Sequence, residues 1–436
     1  MSGKDCFLIL DKIFEPKKKQ AIEDIKGYTI KYGNIVEKGE IIDEVLVSYF
    51  KGPKSYTTEN MCEINSHGGT VIVRKILEMC LRNGAELAEP GEFTKRAFLN
   101  GRVDLLQAES VIDVIHAKSE REAKTAVKQL EGVLSQQIKE IKQNILDVMV
   151  NIEVAIDYPE YDVDDVTNQQ ILDMLAKVEE KLVKLEKSFD NGKIIKEGIK
   201  TAIIGKPNAG KSSLLNAILN EDRAIVTEYE GTTRDTIEEF VTINGIPLKL
   251  IDTAGIRQAK DEVEKIGIAK SREIAKEADL VIAIFDSTKK LTSEDMEILE
   301  IAKNKKSIII LNKIDLESVL QENDSKLKEA SNHIIKISAL NNTGIEKLYE
   351  EITDLFKLDE IQLDNEVVIT NIRHKNLITK AIENVKKTRE TVENKMPLDI
   401  IAIFIKDILE DLGNITGEVV GEDIINEIFS KFCLGK

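Results

Sequence analysis

The residues Gly205-Lys206-Pro207-Asn208-Ala209-Gly210-Lys211-Ser212 match GxxxxGK[ST], directly after the apolar run Ile199 to Ile204 and before the helical pattern Ser213 to Leu219. A glycine-rich turn between a strand and a helix can cradle phosphate. Its backbone N–H groups point inward, and the helix start carries partial positive charge. Lys211 is placed to reach the β- and γ-phosphate oxygens, and the Ser212 hydroxyl to ligate Mg²⁺. Asn208, Ala209, Gly210, Lys211, Ser212 and Ser213 are therefore candidate nucleotide-binding residues.

This loop alone is shared with ATPases, so base choice must be read elsewhere. The segment Asn312-Lys313-Ile314-Asp315 closes the apolar run Ser307 to Leu311. The Asp315 carboxylate can accept both the ring N–H and the amino group of guanine, a donor pair that adenine lacks. Ser338-Ala339-Leu340, after the strand His333 to Ile337, adds a backbone donor for the guanine O6. Between these lies Leu250-Ile251-Asp252-Thr253-Ala254-Gly255, at the end of a strand from Pro247 to Ile251. Asp252 there approaches the metal through water, and Gly255 lets the backbone come close to the γ-phosphate. The polar segment Thr227-Glu228-Tyr229-Glu230-Gly231-Thr232-Thr233-Arg234-Asp235 fills the expected gap, with Thr233 as second protein ligand of Mg²⁺. Three motifs in order, each on a strand end, imply a guanine-nucleotide hydrolase with GTP as substrate.

Positioning these loops takes more than one domain. At 436 residues the chain is long enough for about three, and a hydrophobic fraction of 42% supplies real cores. Its formal net charge of −17 disfavours a protein that grips nucleic acid mainly by neutralising phosphates. Cys6, Cys62, Cys80 and Cys433 show no CxxC spacing, which argues against a zinc site or disulfide framework and fits a reducing cytoplasm. No run of 18 apolar residues and no signal-peptide pattern is present, so no membrane association is expected.

Strand-like runs at Tyr28 to Val36, Ile41 to Phe50 and Met61 to Ile64, with glycine turns at Gly39 and Gly52, predict a small α+β domain over 1–100. From about 104 the pattern turns helical. Ile138, Ile141, Ile145, Val148, Ile152 and Ile156 form one apolar stripe, and Leu172, Leu175, Val178, Leu182, Leu185 and Phe189 another, before Gly192 and Gly198 punctuate the chain. Helical character resumes after 358, with Ile378, Ile382 and Val385, then Ile401, Ile405, Ile408, Leu409 and Leu412. The expected architecture is a discontinuous helical domain, 101–197 and 358–436, interrupted by an inserted Ras-like P-loop domain over 198–357 with a doubly wound, mostly parallel sheet. Two independent helical segments flanking the nucleotide domain are the simpler alternative.

Beyond the nucleotide motifs, the chain resembles the MnmE (TrmE) family nearly throughout. The resemblance rests on Gly52-Pro53-Lys54-Ser55-Tyr56-Thr57, Glu63-Ile64-Asn65-Ser66-His67-Gly68-Gly69, Pro90-Gly91-Glu92-Phe93-Thr94-Lys95-Arg96-Ala97-Phe98-Leu99-Asn100, Ala155-Ile156-Asp157-Tyr158-Pro159 and Phe432-Cys433-Leu434-Gly435-Lys436. It implies a homodimer whose N-terminal domain binds a tetrahydrofolate one-carbon derivative, and a FAD-dependent MnmG-type partner in a heterotetramer. The implied chemistry is installation of a carboxymethylaminomethyl or aminomethyl group at C5 of the wobble uridine of certain tRNAs, with tRNA held mainly through the complex. Members usually begin with a strand and a glycine-rich turn ending in Arg-x-Ser-Gly, whereas this sequence starts Met1-Ser2-Gly3, which makes folate binding and dimerisation open expectations.

The resemblance also assigns roles that spacing does not. Ile256 stands where Ras-type proteins have a water-orienting glutamine, and the family points instead to Glu264. It implies a K⁺ ion held by Asn208 and by Thr227, Tyr229 and Thr232, in the role of an arginine finger. Glu63, Arg102 and Lys436 match folate-contacting positions, and Cys433 is a candidate nucleophile or one-carbon activator. Read without the family, Glu264 is a solvated helix acid and Cys433 a small buried hydrophobe. A competing function is a regulatory GTPase of the ribosome-assembly type. Those usually append basic or KH-like modules, and none is visible here.

Overall fold

The computed structural model describes residues 1–18, 26–157, 164–219, 239–243, 245–251, 267–358 and 367–435. It gathers them into two compact units, one of residues 1–116, 126–179 and 377–436 and one of 117–125 and 180–376.

In the first unit, helix α1 (Cys6–Asp11) is followed by strands β1 (Phe14–Pro16), β2 (Thr29–Glu37), β3 (Glu40–Phe50) and β4 (Met61–Asn65). They form an antiparallel sheet in the order β1-β2-β3-β4. Sequence alternation identified β2, β3 and β4, whereas the three residues of β1 are too few to carry a period. The sheet has one dry face, where Phe14, Ile35, Val45, Val47, Tyr49 and Cys62 pack with α1 and with Ile76, Met79 and Cys80 of α2 (Thr70–Arg82).

Helices α3 (Glu92–Leu99), α4 (Leu105–His116), α5 (Glu120–Leu130) and α6 (Val133–Asp157) follow. Ile138, Ile141, Ile145, Met149 and Ile152 form the buried stripe of α6, while Ile156 is exposed. The expected stripe ran through Val148. The helical period steps from Ile145 to Met149 instead and leaves Val148 on the flank. Helix α7 (Asp164–Glu197) buries Ile171, Leu175, Val178, Leu182, Leu185 and Phe189 along its length. It does not break at Gly192, where the sequence pattern predicts a break. A Cβ at 192 would collide with the Ile369 carbonyl, so this glycine permits a close approach, and Gly198 (φ +76°) makes the stop.

The second unit is built on a six-stranded sheet in the order β10-β9-β8-β5-β7-β6. Its strands are β5 (Ile199–Gly205), β6 (Glu239–Ile243), β7 (Ile246–Leu250), β8 (Leu280–Asp286), β9 (Ser307–Asn312) and β10 (Ile334–Lys336). All pairings are parallel except β6 with β7. A parallel sheet with crossover helices is dry on both faces, so its strands read as continuous apolar runs. One face holds Ile203, Leu248, Ile282, Ile284, Ile308 and Ile310, and the other Ala202, Ile204, Val281, Ala283, Phe285, Ile309 and Leu311. The connecting helices are α8 (Lys211–Leu219), α9 (Gly267–Glu277), α10 (Ser293–Lys303) and α11 (Ser325–Ala330), and α12 (Ile345–Leu355) follows the last strand. The multidomain fold, with an antiparallel N-terminal sheet, helices and a doubly wound P-loop sheet, is thus the one expected.

The chain closes with α13 (Ile372–Glu393), α14 (Leu398–Thr416) and α15 (Glu422–Ser430). Helix α14 buries Ile401, Ile405, Ile408 and Leu412 and packs on α6. Phe429 of α15 is 2% exposed and lies against Phe98 and Phe432, with ring centroids at 6.3 and 5.1 Å. No helix among the described residues is long and apolar enough to cross a membrane.

Removing a buried phenylalanine costs about 3–5 kcal/mol through lost transfer energy and the cavity left. Phe429→Ala should therefore undock α15, seen as faster hydrogen exchange across 422–435 while the β8 and β9 amides keep their protection. Unchanged exchange in 422–435 would show that the aromatic cluster does not hold the C-terminal segment.

Candidate functional site

The phosphate loop leaves β5 at Gly205 and enters α8 at Lys211, which puts Ser212 and Ser213 in the first turn, at the positive end of the helix. Two residues make the curve. Asn208 takes φ +62°, a left-handed conformation that asparagine tolerates, and Gly210 takes φ +105°. Lys211 Nζ donates to the carbonyls of Gly205 and Lys206 at 2.7 and 2.8 Å, which lays its stem across the loop. Lys206 points the other way, donating to Thr292 Oγ1 at 2.8 Å and Asp295 Oδ2 at 3.1 Å. Asp295 at the same time closes a capping box on α10 with Thr292. The loop is tied to the helix beside it by a residue to which the motif alone assigns no role.

The segment predicted to read the base follows β9. Asn312 is buried, and its amide works in both directions: Nδ2 donates to the Ala209 carbonyl at 2.9 Å, and Oδ1 accepts from the Ala339 N–H at 3.0 Å. A Cβ on Gly210 would strike Asn312 Nδ2, so the glycine is required by this contact as well as by its backbone angle. Ser338 Oγ donates to Asp315 Oδ1 at 2.6 Å and orients an otherwise exposed carboxylate. Lys313 takes φ +69°, and its ammonium meets Asp286 Oδ2 at 2.7 Å. Burial opposes the Asp286 charge, but Lys313 and the two Thr288 donors outweigh it and bring its carboxyl down to about 2. Asp286 was missed by sequence reasoning, although a carboxylate ending the wholly apolar run Leu280 to Phe285 was a usable signal.

Of the residues predicted to bind the nucleotide, the described ones, Asn208, Ala209, Gly210, Lys211, Ser212, Ser213, Asn312, Lys313, Asp315, Ser338 and Ala339, cluster at one end of the sheet. Thr227, Glu228, Tyr229, Glu230, Gly231, Thr232, Thr233, Asp252, Thr253, Ala254, Gly255, Glu264 and Lys436 lie outside the described residues.

In the first unit, Arg102 Nη1 donates to the Tyr56 carbonyl at 3.1 Å, and the guanidinium lies 4.7 Å from the Tyr56 ring centroid. It lines a cavity of about 410 Å³ with Tyr28, Phe50, Lys54, Tyr56 and Asn100. Glu63 is exposed on β4 opposite Ser48, which places it on the same sheet face as Phe50, but it does not line this cavity. Cys433 is exposed, and its carbonyl accepts from the Gly91 N–H at 3.3 Å; Cys6, Cys62 and Cys80 are buried.

Several known proteins are similar to this chain in sequence. A family model described as the MnmE helical domain matches residues 105–433, and one described as the GTP-binding protein TrmE N-terminus matches residues 1–102. The tRNA modification GTPase MnmE of Acetivibrio thermocellus is 49% identical over 438 residues, covering 100% of this chain and 95% of its own. The protein of that name from Clostridioides difficile is 48% identical over 436 residues, with the same coverage. Among solved structures, the G domain of the T. maritima FeoB iron transporter is 25% identical, covers 36% of this chain and 98% of its own, and has a TM-score of 0.25. Taken on the sequence matches alone, this chain belongs to the MnmE (TrmE) family of GTPases.

Proposed function

We propose that this chain is the GTP-hydrolysing subunit of a tRNA wobble-uridine modification complex. The observation that carries the guanine-nucleotide part is the Asn312 amide, which joins the phosphate loop to the loop that presents Asp315 and Ala339. Loops that grip opposite ends of one ligand are held there at a fixed separation. GTP lies with its phosphates on the N–H groups of 208–213 and its guanine against Asp315. Water attacks the γ-phosphorus, the bond to the β–γ bridging oxygen breaks, and GDP and phosphate leave.

Ser212 and Thr233 would hold Mg²⁺, and Asn208, Thr227, Tyr229 and Thr232 would hold K⁺. Hydroxyl, amide and carbonyl oxygens suit hard cations, and Asn208 stands exposed at the crown of the loop. Together the ions supply positive charge against that shared by the β- and γ-phosphates. By resemblance to the family, Glu264 orients the attacking water through an intervening water, a task for which Ile256 has no group. The family membership supports a homodimer, a FAD-dependent MnmG-type partner, and a folate one-carbon donor contacted by Glu63, Arg102 and Lys436. A net charge of −17 fits a subunit that leaves most of the tRNA grip to the complex. We place the helical domain at 101–197 and 358–436 around the nucleotide domain at 198–357.

Three measurements test this reading. Asp315→Asn removes an acceptor for two guanine donors, so GDP affinity should fall roughly 10²- to 10⁴-fold while xanthosine diphosphate binds better; an unchanged preference would sink the guanine assignment. GTP hydrolysis by the full chain should rise several-fold when K⁺ replaces Na⁺, and equal rates in the two salts would remove the potassium site. A Cys433→Ser protein, assayed with its flavin partner and tRNA, should hydrolyse GTP normally yet lose wobble-uridine modification; full modification would end the catalytic role of the thiol.

A further inference from the structure

Asp286 sits beside the guanine-recognition loop without belonging to any of the nucleotide motifs. It is the last residue of β8, in register with Asn312 at the end of β9, and its side chain is 10% exposed. The two carboxylate oxygens have separate tasks. Oδ1 accepts from the Thr288 N–H at 3.1 Å and the Thr288 hydroxyl at 2.6 Å, which fixes the plane of the group. Oδ2 then faces Lys313, whose ammonium is 2.7 Å away. Lys289 also approaches Oδ2, at 3.6 Å, but its side chain is 71% exposed and screened by water. Lys313 is thus constrained at both ends, at its backbone by a left-handed φ and at its tip by a carboxylate whose own orientation is locked.

A lysine stem is long and has many rotamers, so a lysine that must lie against a ligand gains from having its tip anchored. We propose that Asp286 is a positioning residue for the guanine nucleotide: it anchors the Lys313 ammonium so that the methylene stem stays extended beside Asp315 as a wall for the purine face. The inference rests on the guanine-nucleotide reading of the site. It assigns Asp286 no contact with the reacting phosphates, and no part in reading the 2-amino group, which falls to Asp315.

A double-mutant cycle on the full-length chain tests it, with GDP and inosine diphosphate affinities measured by calorimetry for wild type, Asp286→Ala, Lys313→Ala and the double variant. A charge-assisted hydrogen bond predicts that each single substitution weakens GDP binding about tenfold. The double variant should bind no more weakly than Lys313→Ala, because the carboxylate acts through the lysine. The ratio of GDP to inosine diphosphate affinity should stay at the wild-type value in Asp286→Ala, and Asp286→Glu should recover part of the loss by restoring the charge. In steady-state hydrolysis the loss should fall on KM more than on kcat. Additive losses, a GDP affinity unchanged in Asp286→Ala, or a shifted GDP-to-inosine ratio would each overturn the positioning role, the last by showing that the Asp315 loop itself had been disturbed. If Asp286→Ala does not fold, Asp286→Glu and Lys313→Ala carry the same comparison, and a Glu variant as tight as wild type with no loss in Lys313→Ala overturns it. A wild-type chain that fails to bind GDP would instead remove the guanine-nucleotide reading beneath it.

Discussion

The proposed nucleotide site depends on one buried amide. Asn312 ties together residues 103 positions apart on one side and 27 on the other, donating to Ala209 and accepting from Ala339. A buried amide left unsatisfied is costly, so both partners must be in place for the site to be stable. The arrangement admits little slack: Gly210 can carry no side chain where the amide passes, and Ala209 must present its carbonyl inward. Phosphate cradle, base reader and Ala339 loop therefore form together. Orientation of Asp315 by Ser338 follows from the same closure, since Ser338 immediately precedes the residue that Asn312 holds.

What lets a single amide span these loops is the sheet beneath it. β5, β8 and β9 are parallel neighbours, so their C-terminal ends emerge at one edge and deliver the phosphate loop, Asp286 and Asn312 side by side. Apolar packing on both faces fixes the strands, and burial of β8 from Leu280 through Phe285 is complete. A second tie, from Lys206 to Thr292 and Asp295, holds the outer side of the phosphate loop against α10. The loop is thus braced on its inner side by a neutral amide and on its outer side by an ion pair.

Much of this was legible in the sequence, because the phosphate and guanine motifs are contiguous and each follows an apolar run long enough to be a buried strand. Gly205 to Ser212 and Asn312 to Asp315 stand where those runs predicted. The residues that escaped notice act across the fold. Asp286 has meaning only once β8 and β9 are paired in register, and Lys206 only once α10 is packed beside the loop. Gly192 was misread for a related reason: a glycine in a helical pattern looks like a stop until the backbone of Ile369 is seen to occupy the space its side chain would need. Strand β1, at three residues, is shorter than the roughly four to eight over which alternation can be read.

A chain of net charge −17 that binds a polyanion must create its positive field locally. The geometry indicates how. Two of the lysines around the nucleotide site, Lys206 and Lys313, are held by carboxylates, Asp295 and Asp286, and those pairs add shape while contributing little net field. Lys211 Nζ donates to the carbonyls of Gly205 and Lys206, dipoles that orient it along the loop and carry no unit charge themselves. Backbone N–H groups at the start of α8 add to it, and neither source depends on the sign of the distant surface, which salt screens beyond about 10 Å. An acidic exterior and an anion-binding cradle are therefore compatible in one chain, because the cradle draws its field at short range from the loop and from the start of α8 while the paired lysines shape its walls.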